Sequence, residues 1–533
     1  MIWLFACHPT PEPPVGIVRV AQESQAVWTR NFNPLLAGSA ARWPSNAGIY
    51  EPLLIYNPMS QAYVPWLATD FSLSEDATKL TLTLRDGVRW SDGESFDSTD
   101  VAFTLNLVQQ HPQLDTHGLG SVLDSVTVKS PLELIVHFNQ PAFIGLERVA
   151  HQAIVAEHIW STIADPVTFD NANPVGTGPF TEVTIFETQL WQLEKNPYYW
   201  QELGINGLQF PALPSNDTAN LALLQGEIDW AGNFVPAIDR IFVDRNPTHH
   251  HYWFPLVGAS VLLYPNHQIP PLDDIRVREA ISRSIDRELL VSVAMFGYTQ
   301  AADESGLSKA YDQWQMDQYD SRNQWTEYSP SRAVELLDEA GWTTNESGWR
   351  VKDGEELRLK IGVVSGWSDW VRAAQVISQS LNAIGIQAQV DNRDFGSWFH
   401  KLTTGDFDLS LGWSNDGPHP VGFYKSMLSA KAVKPIGENT GINWHRYADP
   451  NADMWIDRFE QSADPNVRLE SAQALQKTFV EHIPAIPLFL NPSWGAYNDS
   501  RITGFPSADH PYARLSPNHP PEQLLVLTQL KVR

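Results

Sequence analysis

Three clusters in the sequence have the residue types and spacing from which chemistry could be built. Gly176-Thr177-Gly178 offers the start of a phosphate-cradling loop, but Pro179 follows and no helix opens there, so the stretch reads as a structural turn. In His249-His250-His251, strand alternation would put His249 and His251 on one face, and paired imidazoles suit nickel or zinc. No carboxylate or cysteine at ligand spacing joins them, and a solvent-exposed strand end is the expectation. Cys7 is the single cysteine, which excludes an internal disulfide and any zinc site built on cysteines. The sequence contains no G-x-S-x-G elbow, no H-E-x-x-H, no Walker loop and no G-x-G-x-x-G. No catalytic residue, metal or cofactor is therefore assigned, and the chain is expected not to be an enzyme. Paired carboxylates for glycoside hydrolysis stay open, because their separation is a three-dimensional quantity.

The elements that must position such residues follow from periodicity. Lys79 to Arg85 alternates apolar and polar residues and predicts a half-buried strand. Asp97-Ser98-Thr99-Asp100 caps an amphipathic helix over 101–108. A short helix is expected over 216–225, ending at Gly226 before a strand at 227–230. Helical spacing recurs over 273–286, 329–340, 370–384 and 467–483, with Gly341 and Gly385 as natural stops, and strands interleave at 357–364, 387–390 and 408–412. Alternation of this kind means α/β layers. No 20–50-residue repeat occurs, which removes solenoids and propellers.

Composition narrows the function further. The 533 residues carry 36 Lys+Arg against 62 Asp+Glu, a formal charge of −26, which argues against nucleic acid as partner. With 43% hydrophobic and 18% charged residues the chain is globular. No apolar run of 18 residues is present, so no membrane span is expected. The 21 Trp and 15 Tyr supply many flat faces with polar handles, more than packing normally requires. Leu4-Phe5-Ala6-Cys7 resembles the lipobox of bacterial lipoproteins, and a Pro-rich spacer runs from Pro9 to Pro14. Only Met1-Ile2-Trp3 precedes the box, so the expectation is an exported protein anchored through Cys7 whose true start lies upstream.

Asn31-Phe32-Asn33-Pro34, Ile49-Tyr50-Glu51-Pro52-Leu53, Leu84 to Gly93 (LRDGVRWSDG), Thr99-Asp100-Val101, Asn173 to Phe180 (NPVGTGPF) and Asn196-Pro197-Tyr198-Tyr199-Trp200 occur in that order. Together they resemble the landmarks of the extracytoplasmic solute-binding proteins of ABC importers, in the peptide/nickel/oligosaccharide class known as family 5. The resemblance implies an α/β fold of two lobes, the type II, cluster C periplasmic-binding architecture, with an extra inserted domain. It implies an anchor and spacer at 1–14, a discontinuous lobe I from 15–45, 176–256 and 489–533, an inserted domain II at 46–175, and lobe III at 257–488. It also implies a monomer outside the cytoplasmic membrane that hands its ligand to an ABC permease.

Peptide binders of this class hold an amino terminus with the Asp of a G-W-x-x-D motif, and Gly412-Trp413-Ser414-Asn415-Asp416 keeps that spacing. Dipeptide binders add an Arg for the peptide carboxylate, whereas this chain has no Arg until Arg372 after Val364-Ser365-Gly366-Trp367-Ser368-Asp369. Gly366-Trp367-Ser368-Asp369 is similar to the motif of chitooligosaccharide- and cello-oligosaccharide-binding members. There Trp367 would stack on a β-linked pyranose and Asp369 would accept hydroxyl hydrogen bonds. The same likeness implies ligand contacts at Arg30, Asn33, Asn216, Asn233 and Phe234, with Trp413, Asn415, Asp416 and Trp444 along the cleft. Duller readings stand beside these: Trp90 and Trp230 read as core aromatics, Trp413 can face core or cleft, and Arg30 can pair with a carboxylate. The subgroup's C-terminal Trp clamp is missing from Phe505-Pro506 and Tyr512-Ala513-Arg514. The expected function is non-catalytic capture of a β-linked oligosaccharide; the alternatives are an oligopeptide receptor of the same fold and a secreted glycan-cleaving enzyme.

Overall fold

The computed structural model describes residues 15–36, 45–258, 260–316, 324–414 and 417–533. Cys7, Asn415 and Asp416 lie outside the described residues. The alternating segment forms the strand Lys79–Leu84, which buries Leu80, Leu82 and Leu84 and turns Lys79 and Thr83 to solvent. It sits in a four-stranded antiparallel sheet with Ala68–Leu73, Glu133–Phe138 and Leu123–Ser130. The helix Ser98–Gln110 starts at a capping box: Asp97 accepts from the Thr99 amide and Asp100 from the Asp97 amide. This sheet and its helix form the inserted domain.

A seven-stranded sheet organises the first lobe. Its order is His250–Tyr252, Ala496–Asn498, Trp230–Ala231, Ile17–Ala21, Gly207–Pro211, Leu190–Lys195 and Phe180–Glu187, so the first strand pairs with segments more than 180 residues downstream. The 227–230 strand is shorter than expected and reduces to Trp230–Ala231. Asp229 instead accepts from Arg19 and Arg501 and has its carboxylate buried. In the second lobe a five-stranded sheet runs Gln387–Arg393, Arg358–Val364, Leu409–Trp413, Ser260–Pro265 and Ile486–Leu490. Its first three strands are parallel and are covered by the helices Ser368–Ala383 and Phe395–Thr404. Trp90 and Trp230 are both fully packed core residues.

Two stretches, 253–258 and 491–495, connect the sheets, and they are tied to each other by Trp253 N donating to Gly495 O and Ser493 N to Pro255 O. One apolar core extends without a break from the seven-stranded sheet (Val18, Trp191, Phe210) into the inserted domain (Leu54, Leu82, Val101). The second lobe has a core of its own around Leu263, Ile361, Ile377 and Phe479. The Gly-Thr-Gly turn belongs to this packing: a Cβ on Gly176 or Gly178 would fall about 2 Å from the backbone oxygens of Ile49 or Gly48.

Candidate functional site

The parallel strands of both lobes run their carboxyl ends toward one cleft, the place where open α/β sheets leave backbone and loop groups free for ligands. From the first lobe, Ile17–Ala21 leads to Glu23 and Ser24, and Trp230–Ala231 leads to Gly232, Asn233 and Phe234. From the second, Arg358–Val364 leads to Gly366, Trp367 and Asp369, and Leu409–Trp413 ends at Trp413 and Ser414. The connecting stretch 491–494 and the loop around Arg514, Asn518 and His519 close a cavity of about 330 Å³, within the range of small-ligand sites.

Asp369 lies in the first turn of the helix Ser368–Ala383, with its side chain among backbone N–H groups at the positive end of the helix. Burial outweighs that help and the nearby Arg372, and pushes its carboxyl up to about 6. Asn216 of the first lobe donates to Asp369 Oδ1 at 3.1 Å, and the Asn216 amide donates to Gly366 O at 2.9 Å, so the lobes touch directly here. Glycine at 366 permits the contact: an added Cβ would come 2.7 Å from Pro214 O. Trp367 stands edge-on to Trp370 at 4.8 Å and packs with Phe395, Trp398 and Trp413; Trp413 in turn meets Trp444 at 5.6 Å. Across the cavity Phe234 is edge-on to Trp494 at 5.2 Å, and the guanidinium of Arg372 lies 5.0 Å from the Phe234 ring.

The cavity therefore gathers Asn216, Asn233, Phe234, Trp367, Asp369 and Trp413, with Trp444 in a small adjoining recess beside Tyr264. The structure places Arg30 and Asn33 elsewhere. Arg30 is exposed and donates to Ala172 O and Asn173 Oδ1; Asn33 is fully buried, donating to Pro166 O and Phe169 O while its Oδ1 accepts from Leu35 N. Their amide and guanidinium hold the loop before Asn173. Trp494 was not singled out from sequence, nor were Glu23, Asn518 and His519. Trp494 sits in an irregular connection without periodicity, and nothing local distinguishes it from the other tryptophans.

The histidine run ends the sheet as expected of a strand end, but with a partner. His249 and His251 both turn to Asp499, at 2.7 and 3.9 Å, and His250 stacks on Phe242. Among the described residues no group of three or more His, Cys, Asp or Glu could hold a metal ion, and no helix is long and apolar enough to cross a membrane.

Residues 62–435 match the model of the bacterial extracellular solute-binding proteins, family 5 Middle. The chain belongs to this family. Among curated relatives, the nickel-binding periplasmic protein of Escherichia coli K12 is 27% identical over 394 residues, 71% of this chain and 72% of the relative. The di/tripeptide-binding protein 2 of Pseudomonas aeruginosa is 25% identical over 86% of this chain and 87% of its own. The mannohexaose-bound periplasmic oligopeptide-binding protein of Thermotoga maritima superposes with a TM-score of 0.89 at 23% identity, covering 98% and 99% of the two chains. As a family 5 member the chain is the extracytoplasmic substrate-binding component of an ABC transporter, and its α/β architecture of two lobes with an added domain is that of the family's solved structures.

Proposed function

We propose that this family 5 protein captures a β-linked oligosaccharide in the interlobe cleft and delivers it, chemically unchanged, to a permease in the cytoplasmic membrane. The observation that carries the reading is the lining: Trp367, Trp370 and Trp413 of one lobe face Phe234 and Trp494 around the buried Asp369–Asn216 pair. Pyranose rings present C–H faces to aromatic rings and hydroxyls to acceptors, and this lining offers both. Asn233 and Asn518 add to it. Each commits its Nδ2 to protein acceptors, Asn233 to Asn220 Oδ1 and Phe234 O, Asn518 to Gly232 O, which leaves Oδ1 of both buried without a hydrogen bond and suited to a ligand donor. Arg514 lines the cavity, but its guanidinium is matched by buried Glu522 at 2.5 Å, so it is a poor clamp for a peptide carboxylate.

A peptide is the second reading. The di/tripeptide-binding relative favours it, as does the presence of two carboxylates, Glu23 and Asp369, at the cavity wall, where an ammonium could be held. The fold admits both classes, since the Thermotoga maritima structure holds mannohexaose. The division into lobe I (15–45, 176–256, 489–533), inserted domain (46–175) and lobe III (257–488) belongs to the same proposal and is supported by the membership of the three sheets. The test is a thermal-shift panel of cello-, chito-, manno- and laminari-oligosaccharides beside di- to pentapeptides, because a ligand that binds only the native state raises the melting temperature. Stabilisation by one or more of the oligosaccharides and by no peptide is expected; stabilisation by peptides alone overturns the sugar reading.

A further inference from the structure

The inserted domain meets the second lobe along a seam whose residues take no part in lining the ligand cavity. Phe143 N donates to Glu460 O at 2.8 Å, and the Arg468 guanidinium lies 3.5 Å from the centre of the Phe143 ring, with the His419 ring at 6.2 Å on the same aromatic. Beside it, Glu460 accepts from Arg148 at 2.9 Å and from Lys425 at 2.7 Å, and the Arg148–Glu460 pair is largely withdrawn from water. Arg148 is further held by Gly118 O and Ser121 Oγ of its own domain. These contacts join two bodies with separate cores: the inserted domain shares its core with the first lobe, and the second lobe has another.

That division fixes what happens when the cleft opens. A hinge at the paired stretches 253–258 and 491–495 would carry the inserted domain away together with the first lobe, because separating those two would split one continuous core. The seam must then part. At the seam His419 Nδ1, Trp314 Nε1 and Arg468 Nε are buried without a hydrogen-bond partner in the protein, and water admitted on opening would satisfy them.

We propose that the Phe143–Arg468 and Arg148–Glu460–Lys425 contacts form a clasp that engages when the cleft closes and so sets ligand affinity without touching ligand. A binding-competent closed state that is less populated lowers apparent affinity by the same fraction. The clasp acts in this way whether the ligand is a sugar or a peptide.

The experiment uses the full chain carrying Phe143→Leu, which keeps an apolar side chain but removes the aromatic face under Arg468, and Glu460→Gln as a second variant. Circular dichroism establishes that each is folded; if one is not, the other answers. Hydrogen exchange of the unliganded proteins should be faster than wild type on both sides of the seam, in 140–148 and in 417–425 with 459–468. Titration with cellopentaose and with Ala-Ala-Ala should show the probe that binds wild type bound about fivefold or more weakly, the lower end of usual coupling between sites. Acceleration confined to the segment carrying the substitution, or an unchanged Kd in a folded variant, overturns the clasp. If neither probe binds wild type, the exchange result decides alone, and the ligand reading is decided separately by the wider oligosaccharide panel.

Discussion

In the proposed function, Asp369 and Trp367, both in the cavity wall, carry ligand recognition. Loss of the Trp367 face in Trp367→Ala should cost roughly 1.5–3 kcal/mol of binding, about ten- to a hundredfold in Kd. Calorimetry of the folded variant checks this, and an unaltered Kd removes Trp367 from the site. Asp369 supplies a pH signature. Burial in the closed cleft pushes its carboxyl up to about 6, and only the ionised form is a full acceptor for ligand hydroxyls. Affinity should be level from pH 7 upward and fall by up to about tenfold per pH unit below about 6, while Asp369→Asn should be weaker and level throughout. A level wild-type profile would contradict the role. That both stand at the cavity was legible because Gly366-Trp367-Ser368-Asp369 is a compact local motif. Arg30 and Asn33 stand away from the cavity for the opposite reason: their side chains spend hydrogen bonds on loop carbonyls 133 to 142 residues away, a fact no local pattern carries.

At the scale of elements, strands with strict alternation and helices with long apolar periods were readable to within a few residues: Lys79–Leu84, Pro330–Glu339, Ser368–Ala383 and Pro465–His482. The helices Phe395–Thr404, Pro420–Leu428 and Pro450–Gln461 were not singled out. The first carries aromatics on the face that backs the site, Trp398 and Phe399 against Trp413, and aromatic-rich text lacks a clean helical signature. The turn between Arg358–Val364 and Ser368–Ala383 holds the interlobe contact, and Gly366 is its narrowest point. In Gly366→Ala the new methyl would press on Pro214 O, so each lobe should stay folded while the cleft fails to close fully. Binding should weaken about tenfold or more, with little change in the unfolding midpoint of the unliganded protein; wild-type affinity would show that the close approach does not matter for binding.

Over the whole molecule, the landmark motifs do structural work in the joined core of the first lobe and inserted domain. Glu51 is wholly buried there and accepts from Trp66 Nε1 at 2.7 Å, Tyr199 OH at 3.0 Å and Trp200 Nε1 at 3.3 Å. Burial pushes its carboxyl up to about 7 despite those donors. The folded state therefore holds a proton that the unfolded state has released between about pH 4.5 and 7, so stability falls as pH rises through that window and is level above it. The shift corresponds to roughly 3 kcal/mol. Glu51→Gln should lack this part of the slope; Glu147, also pushed up to about 7 by burial, leaves a remainder. Urea unfolding at several pH values tests it, and a wild-type-minus-variant difference that does not vary with pH would count against it.

The order of the landmarks made the two-lobed plan readable from sequence, whereas the aromatic Trp494 and the seam around Phe143 emerge only when distant segments are brought together. The most direct measurement of the central claim is calorimetric titration of wild type and Trp367→Ala, at pH 7, with cellopentaose, chitopentaose, mannohexaose and Ala-Ala-Ala. Saturable binding of at least one oligosaccharide by wild type, weakened tenfold or more in Trp367→Ala, with no heat from the tripeptide, is the predicted result. Tight binding of the tripeptide with no response to any of the three sugars would contradict it.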